Sequence, residues 1–414
     1  MTDNSLPPIQ HDLLPPLVRK ATKRPSLEIG EYSLETLSGG TGEGSQGIYR
    51  LSGTGSDQGQ PVDWALILKI LIPPKDLSSD AVHSPSGFAY WKREAEALAS
   101  GLLDDLPPGL SAPLCYEVSA QPDGSVWLWM EELQKDQASW TLERYGQAAR
   151  LLGQWQGAYL AGKPLPEATW LTPRTWNRDF VEENRQTVGL LRRSLDKPWV
   201  RYAYPPDVLE EFLWAWKERE VFYRILESLP QVFCHRDVFG RNLMDRPGPD
   251  RFRKEIDPTR SLSVQGISSG DEPGENLSGL QETVLIDWSY AGIGAVGEEL
   301  VPLVQATYLW REVGGETYRE LEESVLSGYL EGLRAAGGAG DSKLVRLGYS
   351  AATALRYTIG TIRFGFAGLL DDSSTPASTD VLSLERREYI DFWTETFRRF
   401  IFPLVREAYK LRRS

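Results

Sequence analysis

Apolar residues in the first 130 positions gather in short runs bounded by glycine, proline and polar residues; further along they recur mostly at spacings near three and four. The runs at 32–37, 47–51, 64–71, 112–117 and 125–133 read as strands. Residues 89–101 hold strong helix formers and close on Gly101, which predicts a helix. From 141 to 160, Leu142, Tyr145, Ala149, Leu152, Trp155, Ala158 and Tyr159 form the apolar stripe of a helix packed into a larger lobe. Further helices are expected over 181–195, 208–229, 318–336, 342–369 and 384–410. Two stretches break the pattern. Residues 1–26, rich in proline, predict an irregular arm, and 245–282, dense in Gly, Pro, Ser, Asp and Glu, predict a flexible insertion looped out between strands at 242–244 and 283–286.

The candidate chemistry sits on either side of that insertion. The segment Val232-Phe-Cys-His-Arg-Asp-Val-Phe-Gly-Arg-Asn-Leu243 is followed by Val284-Leu-Ile-Asp-Trp288, which spaces His235, Asp237, Asn242 and Asp287 along a turn and the end of an apolar strand. A phosphoryl group in transit carries diffuse negative charge, so a protein that transfers it chiefly positions Mg²⁺ and aligns a hydroxyl nucleophile. Asp237 suits the hydroxyl proton, while Asn242 and Asp287 offer oxygen ligands to a hard cation. The competing account is accidental spacing, with Asp287 closing a buried strand at a turn.

The pattern H-x-D-x-x-x-x-N followed by apolar-I-D-aromatic resembles the catalytic region of the aminoglycoside phosphotransferase and choline kinase families, which share the protein-kinase-like fold. Protein kinases also write H-R-D here, but the serine/threonine enzymes usually carry Lys where this chain has Phe239, and D-F-G where it has Asp287-Trp288-Ser289. The small-molecule branch is favoured. One departure is Arg236, since most of those enzymes have Gly there, which implies a local difference in the loop.

The resemblance implies a glycine-rich hairpin, a strand with a buried Lys and a helix with a partner Glu, in that order. Gly42, Gly44 and Gly47 form a G-x-G-x-x-G between two strand-like runs, where glycine permits positive φ and close approach to phosphates. A Rossmann site is disfavoured because 48–51 reads as strand rather than helix. Lys69 interrupts the apolar run 64–71 and needs anionic partners if buried; an edge strand with a snorkelling Lys is the alternative. Glu94 is the expected partner by its Arg93-Glu94 context, although beside Lys92 and Arg93 it also reads as a solvated surface charge. Met130, Glu131 and Glu132 fall at the expected lobe-connecting hinge, as backbone contacts for adenine; a core strand ending in surface carboxylates explains them equally. Glu299, in the glycine-containing turn and helix of 291–301, would brace the catalytic loop or face the acceptor, or be an exposed carboxylate. Asp179 is an amine-ligand candidate or an ordinary charged helix entry.

Composition bounds these readings. A chain of 414 residues with 41% hydrophobic residues can bury a large core in two lobes. It has no run of about 18 apolar residues and no signal-like N-terminus, so a cytoplasmic protein without membrane contact is expected. Two cysteines, Cys115 and Cys234, leave at most one pair, and three scattered histidines offer no metal cluster. A net charge of −13 argues against nonspecific nucleic-acid binding and suits a cationic acceptor.

The expectation is therefore an α+β, two-lobed protein-kinase-like fold: an irregular arm (1–26), a small antiparallel-sheet N-lobe for nucleotide (27–132), and a mainly helical C-lobe (133–414). The reaction implied is transfer of the γ-phosphoryl group of ATP, or GTP, with Mg²⁺, to an alcohol group of a small molecule such as an aminoglycoside, choline or sugar. In that scheme Lys69 orients phosphates, Glu94 positions Lys69, Asp237 acts on the acceptor, His235 supports the loop, and Asn242 with Asp287 holds Mg²⁺. A protein kinase and a non-enzymatic nucleotide-binding pseudokinase are the alternatives; the first lacks a recognisable A-P-E segment, and the second lacks no obvious part.

Overall fold

The computed structural model describes residues 9, 11–37, 44–74, 77–133, 140–246, 282–360, 362 and 384–412. Its strands are β1 (Glu28–Thr36), β2 (Ser45–Asp57), β3 (Gln60–Leu71), β4 (Leu110–Ser111), β5 (Cys115–Ala120), β6 (Val126–Met130), β7 (Gln231–Cys234), β8 (Leu243–Arg246), β9 (Glu282–Leu285) and β10 (Gly292–Ala295). Helices α1 (Leu14–Thr22), α2 (Ser79–His83), α3 (Arg93–Ala99), α4 (Leu142–Leu160), α5 (Trp176–Glu182), α6 (Arg185–Arg193), α7 (Pro198–Ala203) and α8 (Pro206–Ser228) precede Tyr318–Ala335, Ser342–Thr353, Leu384–Thr396 and Phe402–Leu411. Two compact units result, one drawn from 1–77, 94–138 and 243–286, the other from 78–93, 139–242 and 287–414.

The first unit is built on an antiparallel sheet in the order β1-β2-β3-β6-β5. Alternation along β3 points Trp64, Leu66, Leu68 and Ile70 to one face, where they join Leu51, Trp127 and Trp129 in a core closed by Leu14, Leu17 and Val18 of α1. The irregular arm expected over 1–26 is thus corrected at 14–22. Pro15 and Pro16 occupy the first turn of α1, where a missing N–H costs nothing, and burying its three apolar side chains contributes roughly 1.5–3 kcal/mol each. Pro113 has no N–H to give a ladder, and of the strand expected over 112–117 only 115–117 is strand, at the start of β5. A second sheet runs β4-β9-β8, antiparallel between β8 and β9 and parallel between β4 and β9. These hairpin strands match the pair expected to flank the insertion; residues 247–281 lie outside the described residues.

The second unit is mainly helical. Thr141 caps α4 by accepting the N–H of Arg144 at 3.2 Å. Helix α4 packs on Tyr318–Ala335 through glycines: a Cβ at Gly153 would lie 2.2 Å from the carbonyl oxygen of Tyr329, and one at Gly332 would lie 2.0 Å from that of Arg150. The single helix expected over 181–195 is instead α5 and α6, broken where Asn184 Nδ2 donates to the carbonyl oxygen of Phe180 at 2.9 Å. Strand β10 pairs antiparallel with β7, so 292–295 is strand where the sequence suggested a turn. Among the described residues, no helix is long and apolar enough to cross a membrane. Cys115 and Cys234 are free thiols.

Candidate active site

In the first unit Lys69 lies on β3, which pairs with both β2 and β6, and therefore cannot snorkel from an edge. Its side chain projects from the face opposite Trp64, Leu66, Leu68 and Ile70, is 8% exposed, and meets Glu94 Oε2 at 2.6 Å. Glu94 is 2% exposed, so it is a buried partner rather than a solvated surface charge. The helix that presents it is shorter than the expected 89–101, spanning only Arg93–Ala99.

The glycine hairpin joins β1 to β2. Gly44 has φ +92° and accepts the N–H of Ile72 at 3.0 Å, Gly47 lies within β2 opposite Ile70, and Gly42 falls outside the described residues. Met130 ends β6 and is buried. Glu131 donates its backbone N–H to the carbonyl oxygen of Leu114 at 3.0 Å, and its carboxylate pairs with Arg246. Glu132 pairs with Arg50 at 2.5 Å. Glu131 thus ties the end of β6 to the end of β8, and Glu132 ties it to the middle of β2.

In the second unit the turn after β7 brings three of the expected residues together. Asn242 Nδ2 donates to the carbonyl oxygen of Asp237 at 2.9 Å and to its carboxylate Oδ2 at 3.0 Å. His235 Nδ1 accepts the N–H of Asp237 at 3.2 Å, which in the neutral ring leaves its proton on Nε2. The ring of His235 packs edge-on to Trp288, with centroids 4.6 Å apart, so the residue after Asp287 touches this turn directly. Asp287 itself has φ +65° and accepts the hydroxyl of Ser289 at 2.8 Å. Leu243 faces Leu285 across the β8–β9 ladder, and Asn242 and Asp287 leave the same end of that hairpin. A Cβ at Gly240 would lie 1.5 Å from Glu312 Oε2, so the end of the Glu312 side chain would have to move to admit any other residue.

Arg236 also has a left-handed backbone, φ +70°, a conformation that costs a side-chain-bearing residue about 1–3 kcal/mol and that glycine adopts freely. That gives the family's usual glycine a physical reason at this position, and this chain meets the demand differently. The Arg236 side chain is wholly buried, with Nε donating to Glu298 Oε1 at 3.0 Å. Glu299 braces the same turn, its two oxygens accepting the N–H groups of His235 and Arg236, each at 2.7 Å. It is therefore neither an exposed carboxylate nor directed outward. Burial pushes its pKa up to about 7, against the lowering effect of those two N–H donors. Asp179 lies exposed on α5.

Sequence reasoning missed Arg93. It is fully buried and donates to the carbonyl oxygens of Trp170 at 2.7 Å, Ser289 at 2.8 Å, Phe88 at 3.3 Å and Pro85 at 3.2 Å. Its neighbours Pro85, Phe88 and Trp170 carry no charge, so nothing local announced a guanidinium site.

The donors present suit a hard divalent cation. The amide nitrogen of Asn242 is engaged by Asp237, which leaves an oxygen as its other polar atom, and Asp287 supplies a carboxylate. Among the described residues no group of three or more His, Cys, Asp or Glu forms a metal cluster. Mg²⁺ usually takes one or two carboxylates together with waters and substrate phosphates.

Residues 66–257 match the phosphotransferase enzyme family (APH). Over this stretch the chain is similar to that family. The stretch runs from the strand of Lys69 past Asp237 and Asn242, and Asp287 lies beyond it. No curated protein sequence matches the chain. Two solved phosphotransferases are similar in structure. A choline kinase from Cryptosporidium parvum Iowa II aligns over 97% of this chain and 100% of its own, at 13% identity and TM-score 0.52. An aminoglycoside phosphotransferase from Alicyclobacillus acidocaldarius aligns over 99% of each chain, at 12% identity and TM-score 0.51. At these identities the likeness concerns the fold, and it bears out the α+β, kinase-like class read from the sequence.

Proposed function

We propose that this chain is an ATP-dependent phosphotransferase that moves the γ-phosphoryl group to a hydroxyl of a small molecule. The observation that carries the reading is the Asn242 amide bridging both the backbone and the carboxylate of Asp237, five residues away, which fixes the orientation of that carboxylate. The family match and the choline kinase and aminoglycoside phosphotransferase among the structural neighbours support a small-molecule alcohol as acceptor.

In the proposed reaction the acceptor oxygen attacks the γ-phosphorus, the bond to the β,γ-bridging oxygen breaks, and ADP departs with that electron pair. Asp237 takes the acceptor proton and His235 holds the Asp237 backbone. Lys69, steadied by Glu94, neutralises phosphate charge, and Gly42, Gly44 and Gly47 line the triphosphate. Met130, Glu131 and Glu132 border the adenine, with contacts from backbone groups not already engaged. Asn242 and Asp287 would hold Mg²⁺, which when bound neutralises charge on the phosphates. GTP is the alternative donor. The negative net charge favours a cationic acceptor, and the setting expected is the cytoplasm.

The test is ADP release with Mg·ATP across a panel of aminoglycosides, amino alcohols and sugars, with Asp237→Asn beside wild type. Acceptor-dependent release in wild type, reduced about 10²–10⁴-fold in the variant, supports the reading. Phosphate incorporation into protein would point to a protein kinase, and nucleotide binding without turnover to a pseudokinase.

A further inference from the structure

Most main-chain polar groups of the 235–237 turn have a partner that does not depend on the side chain at 236. Glu299 accepts the N–H groups of His235 and Arg236, and Arg356 Nη1 donates to the carbonyl oxygen of Arg236 at 2.6 Å. The N–H of Asp237 goes to His235 and its carbonyl oxygen to Asn242. A glycine at 236 would keep all of these bonds and reach φ +70° without strain. The guanidinium is therefore not needed to make the turn.

It adds a second, independent anchor. Beyond Glu298, Arg236 donates through Nη1 to Thr172 Oγ1 and through Nη2 to the carbonyl oxygens of Pro173 and Ile293, while the guanidinium lies 5.0 Å from the centroid of Trp176. Glu298 is in turn fixed by Asn177 Nδ2 at 2.9 Å and by the N–H of Ala295 at 3.0 Å. A planar fork with five donors suits this arrangement, in which one side chain ties the turn to α5, to the loop before it and to β10. Glycine at 236 would leave the φ and ψ of that residue resisted only by the backbone bonds.

We propose that Arg236 is a positioning residue: its buried ion pair with Glu298 locks the turn from which Asp237 presents its carboxylate, a role that rests on Asp237 being the acceptor's proton partner. The substitution of arginine for the flexible residue trades ease of turn formation for rigidity at the reacting carboxylate. Glu299 supplies the bonds of the turn, and the Arg236–Glu298 pair removes its remaining freedom.

The experiment compares full-length wild type, Arg236→Gly, Glu298→Gln and the double variant by thermal unfolding, by amide hydrogen exchange over 232–243, and by kcat and KM for ATP with an acceptor found as above. Arg236→Gly alone should lower Tm, because a buried carboxylate loses its cation. The double variant should regain most of that Tm, yet exchange amides 235–237 about tenfold faster than wild type. Its kcat should fall by about tenfold with KM for ATP within about twofold. Wild-type exchange and kcat in a stable double variant would overturn the proposal. If Arg236→Gly does not fold, Glu298→Gln with Arg236 intact gives the same comparison, with faster exchange in support and unchanged exchange against. Silence of wild type toward every acceptor would sink the phosphotransferase reading instead, while the exchange rates still decide whether the ion pair holds the turn.

Discussion

Asn242 holds Asp237 twice, at 2.9 Å on the carbonyl oxygen and at 3.0 Å on Oδ2, so the candidate base and a candidate metal ligand form one hydrogen-bonded unit. Asn242→Ala should therefore impair two things at once, the orientation of the carboxylate and the affinity for Mg²⁺. Turnover should fall by at least about 10²-fold and remain low at saturating Mg²⁺. Asp287→Ala, which leaves the Asn242–Asp237 bonds intact, should chiefly raise the Mg²⁺ concentration needed for activity. Metal titrations of the two variants check this, and identical titrations would contradict the division of roles.

The Lys69–Glu94 pair is 2.6 Å long and nearly dry. Lys69→Met leaves a buried carboxylate without its cation and should cost about 3–5 kcal/mol of stability. The double variant Lys69→Met/Glu94→Leu should recover most of that loss without recovering Mg·ATP affinity. Urea unfolding and nucleotide titration read the two effects separately; a Lys69→Met protein as stable as wild type would show that the pair is uncoupled.

Glu299 has a folded pKa of about 7, raised by burial above its unfolded value near 4.3. Between those values the native state keeps a proton that the unfolded chain has lost, so this group's contribution to stability is complete below about pH 4.3 and declines as pH rises to 7. Glu299→Gln cannot titrate. The stability difference between wild type and variant should therefore shift by about 1–3 kcal/mol, against wild type, from pH 4.5 to 7.5. Urea unfolding across that range measures it, and a pH-independent difference would refute the assignment.

Gly153 and Gly332 let α4 and Tyr318–Ala335 approach to backbone contact. An alanine at either position improves helix propensity by up to about 1 kcal/mol but drives a methyl group into a carbonyl oxygen of the other helix. The net result should be destabilisation of about 1–3 kcal/mol, seen as a lower Tm, and a stabilised variant would mean that the helices can slide apart without loss.

The parts legible in the sequence are those written in short-range spacing. His235, Asp237 and Asn242 sit within eight residues, and a five-residue separation is enough to let Asn242 reach back to Asp237. Strand β3 announced itself as an apolar run, and its lone Lys69 demanded a partner because an unpaired buried ammonium is costly. Helix α4 was legible from its apolar stripe. By contrast α1 was hidden by its prolines, which break helices in most positions but not in the first turn.

The sequence by itself determined which chemistry the chain can support, because residue types and local periodicity fix hydrogen-bonding capacity and the faces of strands and helices. Only the tertiary structure decided which charges are buried. Arg93, Arg236 and Glu298 look like ordinary surface residues in the chain, yet each is nearly or wholly inaccessible. Arg236 finds Glu298 62 residues away, and the pair gains its meaning from a left-handed φ that no residue pattern encodes. Burial is a sum over non-local neighbours, and the cost of an unpaired buried charge then makes those neighbours specific.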